Sequence, residues 1–294
     1  MFSNDCISRQ VSRMNSSIQP PPNMQPTKNS EGFPFCEAEI RGAMESGDLF
    51  YEYQPTVSVS CGQVCGAEAL MRWDRQGETI YPDHFIPLAE QSRLAVDIAN
   101  AMIPVLIRDM QKIEKVAPDL VTAFNACAMD CIDGEMTNTL IQAIADGKIK
   151  PGSLRIEITE THLAENIGKL QDQFQILLDA GVRLAMDDLG KGYSSLDLLS
   201  KLPFTCLKID KGIVSAMGMS DKARHIIESI CDLSAKIGVT LIAEGVESRK
   251  TYMELDRMGC HQAQGYWIGK PMSLDEYLKF VRFHRLWGIE RAAA

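Results

Sequence analysis

The stretch Arg183 to Leu196, RLAMDDLGKGYSSL, is a short apolar run ending in two adjacent carboxylates, Asp187 and Asp188, with Gly190 and Gly192 just behind them. Neighbouring side chains of a strand point to opposite faces, so consecutive acids converge on one site only where the strand ends and its backbone turns away. The glycines fall at that turn. Two carboxylates side by side repel each other unless a cation lies between them or one takes up a proton, so the pair asks for a metal ion or a strongly shifted pKa. The competing reading is a solvated turn in which glycine supplies positive φ. Recurrence favours chemistry: apolar runs ending in metal-type ligands occur repeatedly along this chain.

Those runs must be positioned by strands, and helical patterns alternate with them. Strand-like stretches are expected at Leu49 to Val59, Gln63 to Trp73, Val121 to Phe124, Leu154 to Ile158, the run into Asp187, Phe204 to Ile209, Thr240 to Ala243 and Gln262 to Gln264. Helices are expected at Glu37 to Glu45, Pro82 to Gln91, Leu94 to Lys115, Cys131 to Asp146, Lys169 to Ala180, Asp221 to Ile237, Thr251 to Met258 and Leu274 to Leu286. Gly181 and Gly238 follow two of these as helix stops. Pro55 inside the first strand marks an edge or an interruption. About eight such units in roughly 250 residues favour a closed α/β barrel of the (β/α)8, TIM-like kind, whose strand ends share one face. Aligned by those ends, the strands offer Glu68, Asn125, Glu157, Asp187 with Asp188, Lys208, Glu244 with Glu247, and Gln264. Carboxylates and an amide oxygen are hard ligands suited to Mg2+ or Mn2+, and the absence of His from the set argues against zinc. One Asp bridging two ions about 4 Å apart is the arrangement used for in-line attack on phosphorus. Glu68 and Arg72 also share a strand face, and simple pairing between them is the alternative to a role for each.

Composition narrows the class without naming the job. The 294 residues carry a net charge of −9, 45% hydrophobic and 23% charged residues, ordinary for a globular protein. The acidic balance argues against a nucleic-acid duplex as main partner, since duplex binding rests on clustered Lys and Arg. A small phosphate ligand stays possible where bound cations outweigh the global charge. Nine cysteines, an odd number, are scattered through the chain, which reads as thiols in a reducing, cytoplasmic setting. The pairs Cys61/Cys65 and Cys127/Cys131 lack nearby His, so thiols are favoured over zinc. No apolar run of about 18 residues suggests a membrane span. Residues 1–32, with Ser16-Ser17 and Pro20-Pro21-Pro22, read as a flexible tail ahead of a single domain at 33–294.

In chain order stand Tyr53-Gln54-Pro55, Glu68-Ala69-Leu70 with Arg72, Phe85-Ile86-Pro87-Leu88-Ala89-Glu90, Asn125 and Glu157-Ile158-Thr159-Glu160. They are followed by Asp187-Asp188-Leu189-Gly190, Leu207-Lys208-Ile209-Asp210, Ala243-Glu244-Gly245-Val246-Glu247 and Gln264-Gly265-Tyr266. Motif by motif, the chain resembles the EAL family of bacterial cyclic-di-GMP phosphodiesterases. The resemblance implies a barrel whose first strand runs antiparallel to the rest, and hydrolysis of one phosphodiester bond of cyclic di-GMP to linear pGpG. It implies one metal held by Glu68, Asn125, Glu157 and Asp187, and a second held by Asp187, Asp188 and Glu247. The ions would be Mg2+ or Mn2+, with Ca2+ inhibiting. It implies substrate contacts from Gln54, Leu70, Arg72, Gln264 and Pro271, catalytic roles for Glu244, Lys208 and Glu68, and loop positioning by Glu160. A homodimer through the Asp188 to Leu196 loop is implied as well.

Three positions depart from the family pattern. Leu189-Gly190-Lys191-Gly192 replaces the usual Phe-Gly-Thr-Gly, Ala126-Cys127 replaces a common Leu-Ser, and His261 stands where Asp is frequent. His261 reads as a surface or supporting residue rather than a ligand. None removes a group that the chemistry requires. The rival reading, a non-catalytic receptor for the dinucleotide or a protein-interaction regulator, is separated from the enzyme by this retention of ligands.

Overall fold

A computed structural model describes residues 34–159, 167–189 and 195–287. The tail at 1–32, Glu160 and the Gly190-Lys191-Gly192 loop lie outside the described residues.

The chain enters through helix α1 (Glu37–Ser46) and then alternates around a closed sheet. Its strands are β1 (Leu49–Ser58), β2 (Val64–Arg75), β4 (Val121–Ala126), β5 (Leu154–Thr159), β6 (Arg183–Leu189), β7 (Cys206–Ile209), β8 (Thr240–Ala243) and β9 (Gln262–Gln264), while the short β3 (Glu78–Ile80) extends β2 as a hairpin outside the ring. The sheet runs β1-β9-β8-β7-β6-β5-β4-β2, and the β1–β2 pairing closes it. β1 is antiparallel to both neighbours, whereas every step from β2 through β4 to β9 is parallel. The barrel and its antiparallel first strand are therefore as the resemblance implied. Parallel strands covered on both faces become nearly continuous apolar runs, and β7 is buried at all four positions.

Pro55 sits in an interruption and not at an edge. Tyr53 exchanges both backbone hydrogen bonds with Met272, and residues two apart direct their N–H groups to the same side. The missing Pro55 N–H therefore faces the side where β9 has not yet joined, since β9 pairs only with Thr56 to Ser58.

Around the sheet lie α2 (Ile86–Ala89), α3 (Leu94–Val116), α4 (Ala128–Asp133), α5 (Glu135–Ala145), α6 (Ile167–Asp179), α7 (Ser195–Lys201), α8 (Lys211–Ala216), α9 (Asp221–Ile237), α10 (Arg249–Arg257) and α11 (Leu274–Trp287). Helix α9 has the expected limits because its ends are coded locally: Ser220 Oγ accepts the Ala223 amide, and Gly238 turns left-handed at φ +72°. The helix expected at Cys131 to Asp146 is two, broken at Gly134, whose left-handed φ of +81° ends α4 before α5 begins. The expected Pro82 to Gln91 helix is a 3-10 turn (Pro82–His84) followed by α2, each with a proline in its first turn. Apolar side chains on the outer strand faces pack against the helices as one large core. Inside the barrel, Ala185, Cys206 and Ile242 form a separate small cluster, and above it the lumen is polar.

Candidate active site

The carboxyl ends of the strands bring the chemistry together. Glu68 on β2, Asn125 on β4, Asp187 and Asp188 on β6, Glu244 and Glu247 after β8, and Gln264 on β9 all line one cleft of about 490 Å3, with Gln54 of β1. Glu157 lies below them on β5 and is fully buried. The two aspartates converge by a device that the strand-end argument did not supply. The β6–β7 register slips between Met186 and Leu189, and Asp188 adopts a left-handed backbone at φ +59°. Its amide then donates to Asp187 Oδ1 at 2.8 Å. A bulge inside the strand turns both acids to the same site. Oxygens of Asp187, Asp188 and Glu244 lie within 4.8 Å of one another.

Lys208 organises the deeper acids. From β7 its Nζ donates to Glu157 Oε2 and to Glu68 Oε2 at 3.2 Å, and lies 2.6 Å from Glu244 Oε1 and 3.5 Å from Asp187 Oδ1. Arg155 Nε donates to the other oxygen of Glu157 at 3.0 Å. Glu68 also accepts from Asn125 Nδ2 at 2.6 Å and from Gln264 Nε2 at 2.8 Å.

These contacts divide the acids. Burial pushes the Glu68 carboxyl up, but Lys208, Asn125 and Gln264 outweigh it and hold it below the usual carboxylate range. Burial wins at Glu157 and Asp187, which are raised, and pushes Glu244 up to about 8 in spite of Lys208. For Lys208 burial opposes the charge, yet Glu157, Glu68, Glu244 and Asp187 together keep it well above the ordinary lysine value. With all four carboxylates ionised, the cations Lys208 and Arg155 would leave two negative charges uncompensated in a buried place, which is why burial favours protons on some of them in the absence of an ion. One divalent ion offsets those two charges, and Asp188 with Glu247 supplies the charge for a second. The donor set thus fits two hard divalent cations.

Beside the acids lies a second cavity of about 600 Å3 that shares Gln54, Asp83, Asn125, Lys211 and Tyr266 with the first. Leu70, Arg72, Tyr81 and Pro271 line it. Arg72 does not pair with Glu68: its Nε holds Glu52 Oε2 at 2.8 Å, its Nη1 donates to Met71 O, and its guanidinium lies 4.8 Å from the Tyr81 ring centre. Gln264 Nε2 donates to Gln54 Oε1 at 3.0 Å, and Gln54 Nε2 to Gly269 O at 3.1 Å. Gly265 follows Gln264 because a Cβ there would lie 2.2 Å from Val246 N. The sequence-expected residues are accordingly brought together, except Glu160, which lies outside the described residues. His261 is not among them; its Nδ1 accepts the Leu241 amide. Sequence reasoning missed Asp83, Tyr81, Asp210, Lys211 and Arg155. Asp210 was visible as the residue after a strand end, while Arg155 was visible only as a charge two positions before Glu157.

The sequence matches the EAL domain family model over residues 37–271. It is 31% identical over 245 residues to the bifunctional diguanylate cyclase/cyclic di-GMP phosphodiesterase MucR of Pseudomonas aeruginosa, covering 83% of this chain and 36% of that protein. It is 29% identical over 244 residues to the cyclic di-GMP phosphodiesterase RocR of the same organism, covering 83% of this chain and 62% of RocR. The chain therefore spans from about a third to under two thirds of the length of these relatives. Among solved structures, the PaMucR phosphodiesterase in complex with c-di-GMP is similar with a TM-score of 0.76 and 30% identity, over 82% of this chain and 98% of that one.

Proposed function

The chain belongs to the EAL domain family, and from that premise we propose that it hydrolyses one phosphodiester bond of cyclic di-GMP to linear pGpG. The observation that carries the reading is the convergence of Glu68, Asn125, Asp187, Asp188, Glu244, Glu247 and Gln264 on one cleft above Glu157 and Lys208. Glu68, Asn125, Glu157 and Asp187 would hold one Mg2+ or Mn2+, and Asp187, Asp188 and Glu247 a second. Divalent ions bound there neutralise the phosphodiester and acidify water, which is most of what this reaction requires.

The chain's own groups do the rest. Arg72, fixed between Glu52 and the Tyr81 ring, presents a preorganised cation to a phosphate in the neighbouring cavity. Leu70 and Pro271 wall the same cavity, and Gln54, which lines both cavities, is held by Gln264 of the acid cleft. Glu244, which lines the cleft beside Asp187 and Asp188, takes a proton from the attacking water. Lys208, 2.6 Å from Glu244, faces the negative charge that develops as the new P–O bond forms and the P–O3′ bond breaks, the leaving O3′ taking up a proton from solvent.

Further proposals follow from the same reading. A homodimer would use the 188–196 segment, and Leu196 is strongly exposed there; light scattering showing only monomer would oppose it. The eight described cysteines are all thiols, which supports a cytoplasmic setting, testable by fractionation. Among the described residues no helix is long and apolar enough to cross a membrane.

The test is chromatography of cyclic di-GMP incubated with purified protein and Mn2+. Linear pGpG should form, Ca2+ should suppress it, and Glu68→Ala should abolish it. Tight binding with no linear product under any divalent ion would identify a receptor instead.

A further inference from the structure

Beneath the acids, on the barrel floor, lies a cation that the chemistry above does not use. Arg155 stands on β5 two residues before Glu157, so both side chains project to the same face, and it is only 4% exposed. Its Nε holds Glu157 Oε1 at 3.0 Å, while Glu157 Oε2 accepts from Lys208. The sheet makes room for it. Arg155 pairs in register with Ala123, Glu157 pairs with Ala185, and Ala185 pairs with Cys206. All three neighbours are small and buried, where a barrel lumen ordinarily carries bulky branched residues.

A buried ion pair is a poor source of stability compared with an apolar pair of similar volume, so packing alone does not account for a guanidinium here. What the contact does is geometric. It ties down one oxygen of Glu157 and leaves the other directed at Lys208, in the midst of Glu68, Asp187 and Glu244.

We propose that Arg155 is a positioning residue of the metal centre: by holding Glu157 Oε1 from below, it aims the other carboxylate oxygen into the acid cluster and sets the affinity for the divalent ion bound there. The inference rests on the two-ion phosphodiesterase reading and deepens it. Arg155 does not touch substrate; it acts through Glu157. Partners of this kind, one bond behind a metal ligand, change metal affinity by about 10- to 100-fold when removed.

The test is Mn2+ binding to the full chain, followed by the loss of the free-ion paramagnetic resonance signal, for wild type, Arg155→Met, Arg155→Gln, Arg155→Lys, Glu157→Gln and the double variant Arg155→Met/Glu157→Gln. The neutral variants should weaken the first Mn2+ by about 10- to 100-fold, Arg155→Lys should recover most of the loss, and Arg155→Met should cost nothing further once Glu157 is Gln. Where Arg155→Met does not fold, Arg155→Gln, which keeps a donor but loses the charge, carries the comparison. A folded neutral variant that binds Mn2+ as wild type does, or an equal loss in the Glu157→Gln background, overturns the proposal. Wild type that binds no Mn2+ at all would instead overturn the functional reading beneath it.

Discussion

Lys208→Met tests the electrostatic account of the lumen in its metal-free form. The Lys208 ammonium contacts Glu68, Glu157, Glu244 and Asp187 within 3.5 Å, and both Lys208 and Glu157 are about 1% exposed. Methionine fills nearly the same volume but leaves, among the ion pairs of these four acids, only that of Glu157 with Arg155. Removing one partner of a buried charge cluster costs about 3–5 kcal/mol. For a domain of this size each kcal/mol shifts Tm by about 2–4 °C, so the chelated variant should melt roughly 6–20 °C below wild type. Mn2+ replaces the lost positive charge, so its addition should raise the variant's Tm by more than it raises that of wild type. The assay is thermal unfolding by circular dichroism at pH 8, with chelator and then with Mn2+. A variant as stable as wild type under chelation, or equal Mn2+ shifts in the two proteins, would refute the reasoning.

Other outcomes follow from the same geometry. Glu244 is raised to about 8, so the folded state binds more protons than the unfolded state between the ordinary carboxylate pKa and 8, and metal-free stability should fall as pH rises through that window; Glu244→Gln should flatten the slope in chemical denaturation. Asp188 holds a φ of +59°, which Asn tolerates and Ala does not. Asp188→Asn should therefore keep the melting temperature while weakening Mn2+ binding, whereas Asp188→Ala should lose about 1–3 kcal/mol as well, both read by melting and metal titration. Arg72→Ala removes charge-assisted hydrogen bonds of about 1.5–3 kcal/mol, so steady-state kinetics should show KM raised roughly 10- to 100-fold with a smaller change in kcat.

Much of the site was legible because the parallel strands of a closed barrel place their carboxyl ends on one face. Glu68, Asn125, Asp187, Glu244 and Gln264 could be grouped from position alone, and the structure groups them. The limits of α9 were legible because Ser220 and Gly238 act within a few residues of the helix they cap. What escaped was nonlocal. The partner of Arg72 is Glu52, fixed by the β1–β2 register, and no pattern along one strand reveals its neighbour's register. The depth of Lys208 amid four acids likewise depends on how β7 is staggered against β5, β6 and β8. Strand direction is not encoded in apolar alternation either, so the antiparallel β1 came from the resemblance. Asp188 bends the rule from which the reading began: the acids meet through a bulge within β6, a backbone choice that DD followed by glycine does not specify. Helices α7 and α8 were missed because each spans under two turns, too short for a periodic signal.

The central claim is that acids from separate strands of this barrel jointly grip a pair of divalent ions. Anomalous diffraction at the manganese edge, from crystals soaked in Mn2+, measures that directly. Two peaks bridged by Asp187 are the predicted result, one touching Glu68 and Glu157 and the other Asp188; the absence of any peak in the cleft, or peaks confined to surface acids elsewhere, would contradict it.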